Sequence, residues 1–272
     1  MPLVHVNGAA VHHTDTGAPP GHPDAATVVF GHGLLFSGRM FDPQIEALRH
    51  RHRCVAVDWR GQGASPATAG GYDMDTLTGD LVALLDHLGL GAVHYVGLSM
   101  GGFIGMRLAA RHPGRVRSLT LLDTSAGAED RDKALRYRLM SSVYRFVGIG
   151  PLLRPVRKIM FGPTFLAGPR ADEVLADWAD VLRHTDPDGT RRAIRGVSDR
   201  APVAPELGAV TAPTLVIVGA EDAATPVEKA EAVAAGIRGA RLEVVPDAGH
   251  SSTIEQPERV TTLLRDFLAA RS

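Results

Sequence analysis

A single cysteine, Cys54, stands in 272 residues. No intrachain disulfide can form, so a disulfide-stapled scaffold is excluded, and a buried strand position is the expected place for that thiol. Charge of one sign is equally scarce as a surplus: 29 Lys and Arg face 30 Asp and Glu. Such a balance leaves no electrostatic footprint for nucleic acid and no acidic tail. The local basic run Arg49-His50-Arg51-His52-Arg53 falls where a helix should end, a favourable place for cations. No apolar run approaches the length of a membrane span. The opening Met1-Pro2-Leu3-Val4-His5-Val6 carries neither a basic leader nor a long apolar stretch. These absences read as a cytoplasmic protein without membrane or nucleic-acid partners, while assembly into a homo-oligomer stays open. No cluster of His, Cys and carboxylates has metal-ligand spacing, so no metal is expected.

What is present is a rhythm. Leu3–Val6 and Ala10–His13 flank Asn7-Gly8, the pair that suits a tight primed hairpin turn. The adjacent His12 and His13 would point to opposite faces of that strand and could not easily share a metal. Short apolar runs at 27–30, 54–57, 93–98, 116–122, 214–219 and 242–245 then alternate with helical spacing at 40–48, 74–88, 103–110, from Pro226 and from Pro257. Strands alternating with helices predict a mostly parallel sheet covered on both faces, here with an opening antiparallel hairpin. The alternation stops after Asp123. From about 125 to 208 there are helix-like pieces punctuated by Gly-Pro pairs and no clear strand. The expected architecture is therefore one α/β core, 1–124 and 209–272, with an inserted helical cap at 125–208.

Chemistry concentrates at strand ends. Gly97-Leu98-Ser99-Met100-Gly101 lies between an apolar strand and a helix, the context of a nucleophile elbow. A serine hydroxyl is a poor nucleophile unless a base takes its proton and a third group orients that base. Asp222 follows the strand 214–219, and His250 follows the strand 242–245. Ser99, His250 and Asp222 are thus the candidate nucleophile, base and acid. Asp123 is a second candidate for the acid, because it also ends a strand; its structural role would be to pin the chain by capping Ser125 or Ala126. Glu221 is expected to face solvent, and Asp247 to shape the His250 loop. An oxyanion needs two preset N–H donors. Met100, after the nucleophile, and Leu34, in His32-Gly33-Leu34, are the candidates, with His32 bracing the loop. Asp58-Trp59-Arg60-Gly61-Gln62-Gly63 contains Gly-x-Gly, yet Ser65-Pro66 stand where a dinucleotide fingerprint needs its third glycine. No cofactor is expected, and Asp58 and Arg60 should tie that loop together.

His32-Gly33, Asp58-x-Arg60-Gly61-x-Gly63-x-Ser65, Gly97-x-Ser99-Met100-Gly101-Gly102, Asp222 and Gly249-His250 occur in the order and spacing of the α/β-hydrolase superfamily, which the chain resembles over essentially its whole length. Within it, Ser-Met-Gly-Gly and the chain after Asp123-Thr124-Ser125-Ala126 look like the group of 3-oxoadipate enol-lactonases, aryl esterases and cofactor-free perhydrolases. The resemblance implies the α/β-hydrolase fold and hydrolysis of a small carboxylic ester or lactone through an acyl-enzyme. Haloalkane dehalogenases and epoxide hydrolases of this superfamily carry Asp as nucleophile, and Ser99 argues against both. Cleavage of a carbon–carbon bond in a ring-cleavage product, the enol-lactonase reaction proper, or ligand reception by a retained triad are the alternatives. The apolar residues Tyr137, Met140, Tyr144, Phe146, Met160, Phe161, Phe165 and Trp178 are candidates to roof an apolar pocket over Ser99.

Overall fold

The computed structural model describes residues 3–148 and 150–271. β1 (Leu3–Val6) and β2 (Ala9–Asp15) form the antiparallel hairpin. Asn7 and Gly8 supply the positive φ that a primed turn requires, at 46° and 75°. Then come β3 (Thr27–Gly31), α1 (Asp42–Leu48), β4 (Arg53–Val57), α2 (Met74–His87), β5 (Val93–Leu98), α3 (Met100–Arg111) and β6 (Val116–Leu122). Among the described residues, five α-helices follow without a strand: α4 (Arg131–Val147), α5 (Leu153–Met160), α6 (Pro163–Leu166), α7 (Ala171–His184) and α8 (Pro187–Ser198). The alternation resumes with β7 (Thr214–Gly219), α9 (Val227–Gly236) and β8 (Arg241–Val245), and closes with α10 (Ser252–Glu255) and α11 (Pro257–Ala269).

The eight strands lie in the order β1-β2-β4-β3-β5-β6-β7-β8, and every pair from β4 onward is parallel. A parallel sheet must bury both faces, and strand periodicity divides its side chains between them. Val29, Val55, Tyr95, Leu119 and Val216 meet α2, α3 and α9; Val28, Phe30, Val96, Leu122 and Ile217 meet α1 and α11. On α2, Leu77, Leu81, Leu84 and Leu85 are all buried, each worth roughly 1.5–3 kcal/mol in removed apolar surface. Asp73 starts that helix by accepting from the Thr76 N–H at 2.8 Å, a cap worth about 1 kcal/mol. Cys54 is buried in β4, where burial pushes its thiol pKa up to about 12.

The apolar residues of the strand-free helices, which could either roof a pocket or pack these helices onto the core, divide between the two. Phe161, Phe165 and Trp178 pack with Phe36 in an aromatic cluster, with ring centroids 5.5 to 6.2 Å apart. The Trp178 indole N–H also donates to the Leu35 carbonyl at 3.0 Å, so α7 is tied to the loop after β3. Phe146 lies outside the residues whose side chains are described. No helix among the described residues is long and apolar enough to cross a membrane.

Candidate active site

The turn from β5 into α3 is sharp. Ser99 sits at φ 51°, ψ −109°, a strained conformation for a residue with a side chain. Two glycines permit it. A Cβ on Gly97 would strike the Gly101 carbonyl, and a Cβ on Gly101 would strike the Gly31 carbonyl of β3. The Ser99 N–H donates to the Leu122 carbonyl at 2.8 Å, which anchors the turn to β6.

Three side chains from separate strand ends converge there. His250 Nε2 lies 2.9 Å from Ser99 Oγ, and His250 Nδ1 lies 2.9 and 3.1 Å from the two Asp222 carboxylate oxygens. Asp222 is itself held: Oδ1 accepts from the Ala224 and Thr225 N–H groups and Oδ2 from the Thr225 hydroxyl, each at 2.8 Å. Burial alone would lower the pKa of His250, but the charge and hydrogen bond of Asp222 outweigh it and hold the imidazole above its ordinary value.

Asp123 is buried beside this group and makes no hydrogen bond to His250. Its Oδ1 accepts from the Gly219 N–H at 2.9 Å; its Oδ2 accepts from the Ser252 hydroxyl at 2.6 Å and the Ser252 N–H at 3.1 Å. Capping of Ser125 or Ala126 does not occur. The carboxylate joins the end of β7 to the His250 loop instead, and burial together with the charge of Asp222 pushes its pKa up to about 7. Glu221 is half-exposed and, beyond what was expected of it, accepts from the Thr164 N–H at 3.0 Å and from the Thr164 hydroxyl, tying α6 to the loop after β7.

The loop after β3 carries Leu34, whose N–H donates to no group among the described residues, and Met100 opens α3 directly behind Ser99. His32 braces this loop as a neutral ring. Its Nε2 accepts from the Trp59 N–H at 3.1 Å, its Nδ1 donates to the Gly33 carbonyl at 2.7 Å, and burial lowers its pKa. Asp58 accepts from Gly38 and Ala64 N–H groups and contacts His12 Nδ1, while Arg60 reaches away to Asp80 on α2, so the two hold the loop separately.

Three supporting residues gave no signal in the sequence. Gln62 accepts from the Leu35 N–H at 2.9 Å. Thr225 binds Asp222. Glu255 accepts from the N–H groups of Gly249 (2.8 Å), Ser251 (2.9 Å) and Gly162 (2.8 Å), fastening the His250 loop to the end of α5. Only its place five residues after His250 could have marked it.

A cavity of about 100 Å³ opens onto Ser99 and His250. Leu34, Leu35 and Phe103 floor it; Tyr137, Met140 and Tyr144 of α4, Met160 of α5 and Ile194 of α8 enclose it. Its wall holds no Lys or Arg among the described residues and one carboxylate, Glu129. Among the described residues no group of three or more His, Cys, Asp or Glu is placed to hold a metal ion.

The chain is similar to known hydrolases over most of its length. 3-Oxoadipate enol-lactonase 2 of Acinetobacter baylyi is 29% identical over 238 residues, covering 88% of this chain and 86% of that protein. The enol-lactonase from Burkholderia xenovorans superimposes with a TM-score of 0.90 at 32% identity, over 98% of this chain and 100% of the other. A thermophilic esterase from Thermogutta terrifontis gives 0.89 at 30% identity, over 99% and 97%. The family model of the alpha/beta hydrolase fold matches residues 26–257, and the chain therefore belongs to that family, as a hydrolase.

Proposed function

We propose that this hydrolase cleaves small uncharged carboxylic esters and lactones through an acyl-enzyme on Ser99. The observation that carries the reading is the hydrogen-bonded chain Ser99 Oγ–His250–Asp222 at 2.9 Å per link. In this reading His250 takes the hydroxyl proton as Ser99 attacks the carbonyl carbon, and Asp222 holds the ring and balances the imidazolium. The Leu34 and Met100 N–H groups receive the oxyanion. His250 then gives its proton to the leaving alkoxide, and water activated by the same ring frees the acid. The strand-free helices act as a cap over residues 125–208, whose α4, α5 and α8 shape the acyl pocket.

The mostly apolar wall supports neutral substrates. A carboxylated lactone entering it would lose its hydration without meeting a cation, and a buried unpaired charge is costly. A neutral lactone is expected to exceed its carboxylated analogue by about tenfold or more in kcat/KM, about 1.4 kcal/mol in transition-state binding. Steady-state kinetics on the matched pair checks this; a tenfold preference for the acid would assign the enol-lactonase reaction instead.

The pH dependence follows from His250. The ring must be neutral to accept the serine proton, and its pKa is held above the ordinary histidine value near 6.5. Activity is therefore low where the ring is charged and rises as pH climbs through that raised pKa. A profile of kcat/KM against pH is expected to show one ascending ionisation above about 6.5. A midpoint well below 6 would contradict the Asp222 pairing.

A further inference from the structure

The Ser99 cavity has one feature that ester hydrolysis does not require, a carboxylate in a mostly apolar wall. Glu129 lines the cavity, and its Oε2 accepts from Arg200 Nη1 at 2.8 Å. The pair is dry, with side chains 8% and 1% exposed. Arg200 does not reach the cavity surface. Its guanidinium lies 4.1 Å over the Phe103 ring, and it donates to the carbonyls of Gly127 and Val197 and to the Ser125 hydroxyl. Phe103 and Glu129 thus stand between the cation and the substrate space, while the acidic member faces inward. The charge of Glu129 is felt there: together with burial, the larger effect, it pushes the Tyr137 phenol, another lining group, up to about 12.

A buried ion pair is weak evidence for stability, since apolar residues of similar volume often serve as well. Its orientation has a consequence for recognition. Specificity commonly rests on a repulsive element as much as on an attractive one. We propose that Glu129 is the specificity-determining residue of this cavity: it covers the Arg200 guanidinium and turns away substrates ending in a carboxylate. The accepted substrates then end in an alkyl, hydroxyl or other uncharged group. The proposal rests on the Ser99 cavity being the substrate site, as argued above.

The test compares p-nitrophenyl hexanoate with mono-p-nitrophenyl adipate, which differ by one terminal carboxylate. The parent protein is expected to favour the hexanoate by about tenfold or more in kcat/KM, and Glu129→Gln to lower that ratio at least about tenfold by removing the acidic charge and leaving that of Arg200 uncompensated. Glutamine keeps an oxygen for Arg200 and so retains the local geometry. Should that variant not fold, Glu129→Gln combined with Arg200→Gln removes both charges and is expected to lower the ratio to the smaller preference that the apolar wall alone imposes. A ratio that stays within about twofold of the parent's in every folded variant overturns the proposal. A binding arm separates this outcome from failure of the hydrolase reading. Calorimetry with hexanamide and adipamate on the Ser99→Ala protein, with and without Glu129→Gln, reads the same discrimination without turnover. Loss of that discrimination in the Glu129 variant supports the proposal even if no ester is hydrolysed; unchanged discrimination overturns it.

Discussion

Ser99→Ala is expected to lower kcat for ester hydrolysis by on the order of 10⁶, the scale seen when the nucleophile of a serine enzyme is removed. The substitution deletes one oxygen. Alanine fits the same backbone as serine at φ 51°, and the anchoring bond from its N–H to the Leu122 carbonyl is unaffected. Thermal unfolding should therefore match the parent within a few degrees. A fluorophosphonate probe is expected to label the parent at Ser99 and to leave the variant unlabelled, read by mass spectrometry of the peptide spanning β5 and α3. An adduct on another serine would overturn the assignment, as would a variant that keeps a tenth of the parent's turnover.

Asp222→Asn is expected to cost about 10⁴ in kcat, roughly 5 kcal/mol in barrier, because an amide facing His250 Nδ1 holds the wrong tautomer. A flip that put the amide oxygen in the place of Oδ2 would leave both the Ala224 and Thr225 N–H groups, which share Oδ1, facing an amide N–H, so it is opposed. Asp123→Asn should behave differently. Its carboxylate bonds Gly219 and Ser252 and makes no hydrogen bond to His250, so the loss falls mainly on the junction between β7 and the His250 loop. A lower unfolding temperature with a much smaller fall in kcat is expected. Measuring both quantities for both variants ranks the acids; the reverse order in kcat would give the role to Asp123.

These two aspartates mark the boundary of what a one-dimensional reading can reach. Both follow parallel strands on the same edge of the sheet, and the strands themselves were legible from apolar runs of seven and six residues. The hairpin turn at Asn7-Gly8, the elbow at Gly97–Gly101 and the helix seam of α2 were legible for the same reason. Each depends on neighbours within a few residues, where backbone sterics and side-chain periodicity act directly. The order of candidate residues along the chain could also be read, because in a parallel sheet successive strand ends return to one edge.

The amino-acid sequence by itself thus determined the sheet, its two helical faces and the strand ends from which Ser99, Asp222 and His250 project. The tertiary structure decided which carboxylate meets the imidazole. That depends on how two loops fold across each other, with Ser99 and His250 hydrogen-bonded across 151 residues. It also placed Gln62, Thr225 and Glu255 as braces, since an acceptor for a backbone N–H has no signature in local pattern. The strand-free helices show the limit most plainly. Their aromatic residues satisfy the same periodicity whether they line a cavity or fill a core, and only packing of Phe161 and Trp178 against Phe36, and of Phe165 against Phe161, sent them to the core. The orientation of the Glu129–Arg200 pair, acid inward and base behind, belongs to the same class: charge was visible in the chain, but its direction came from the fold.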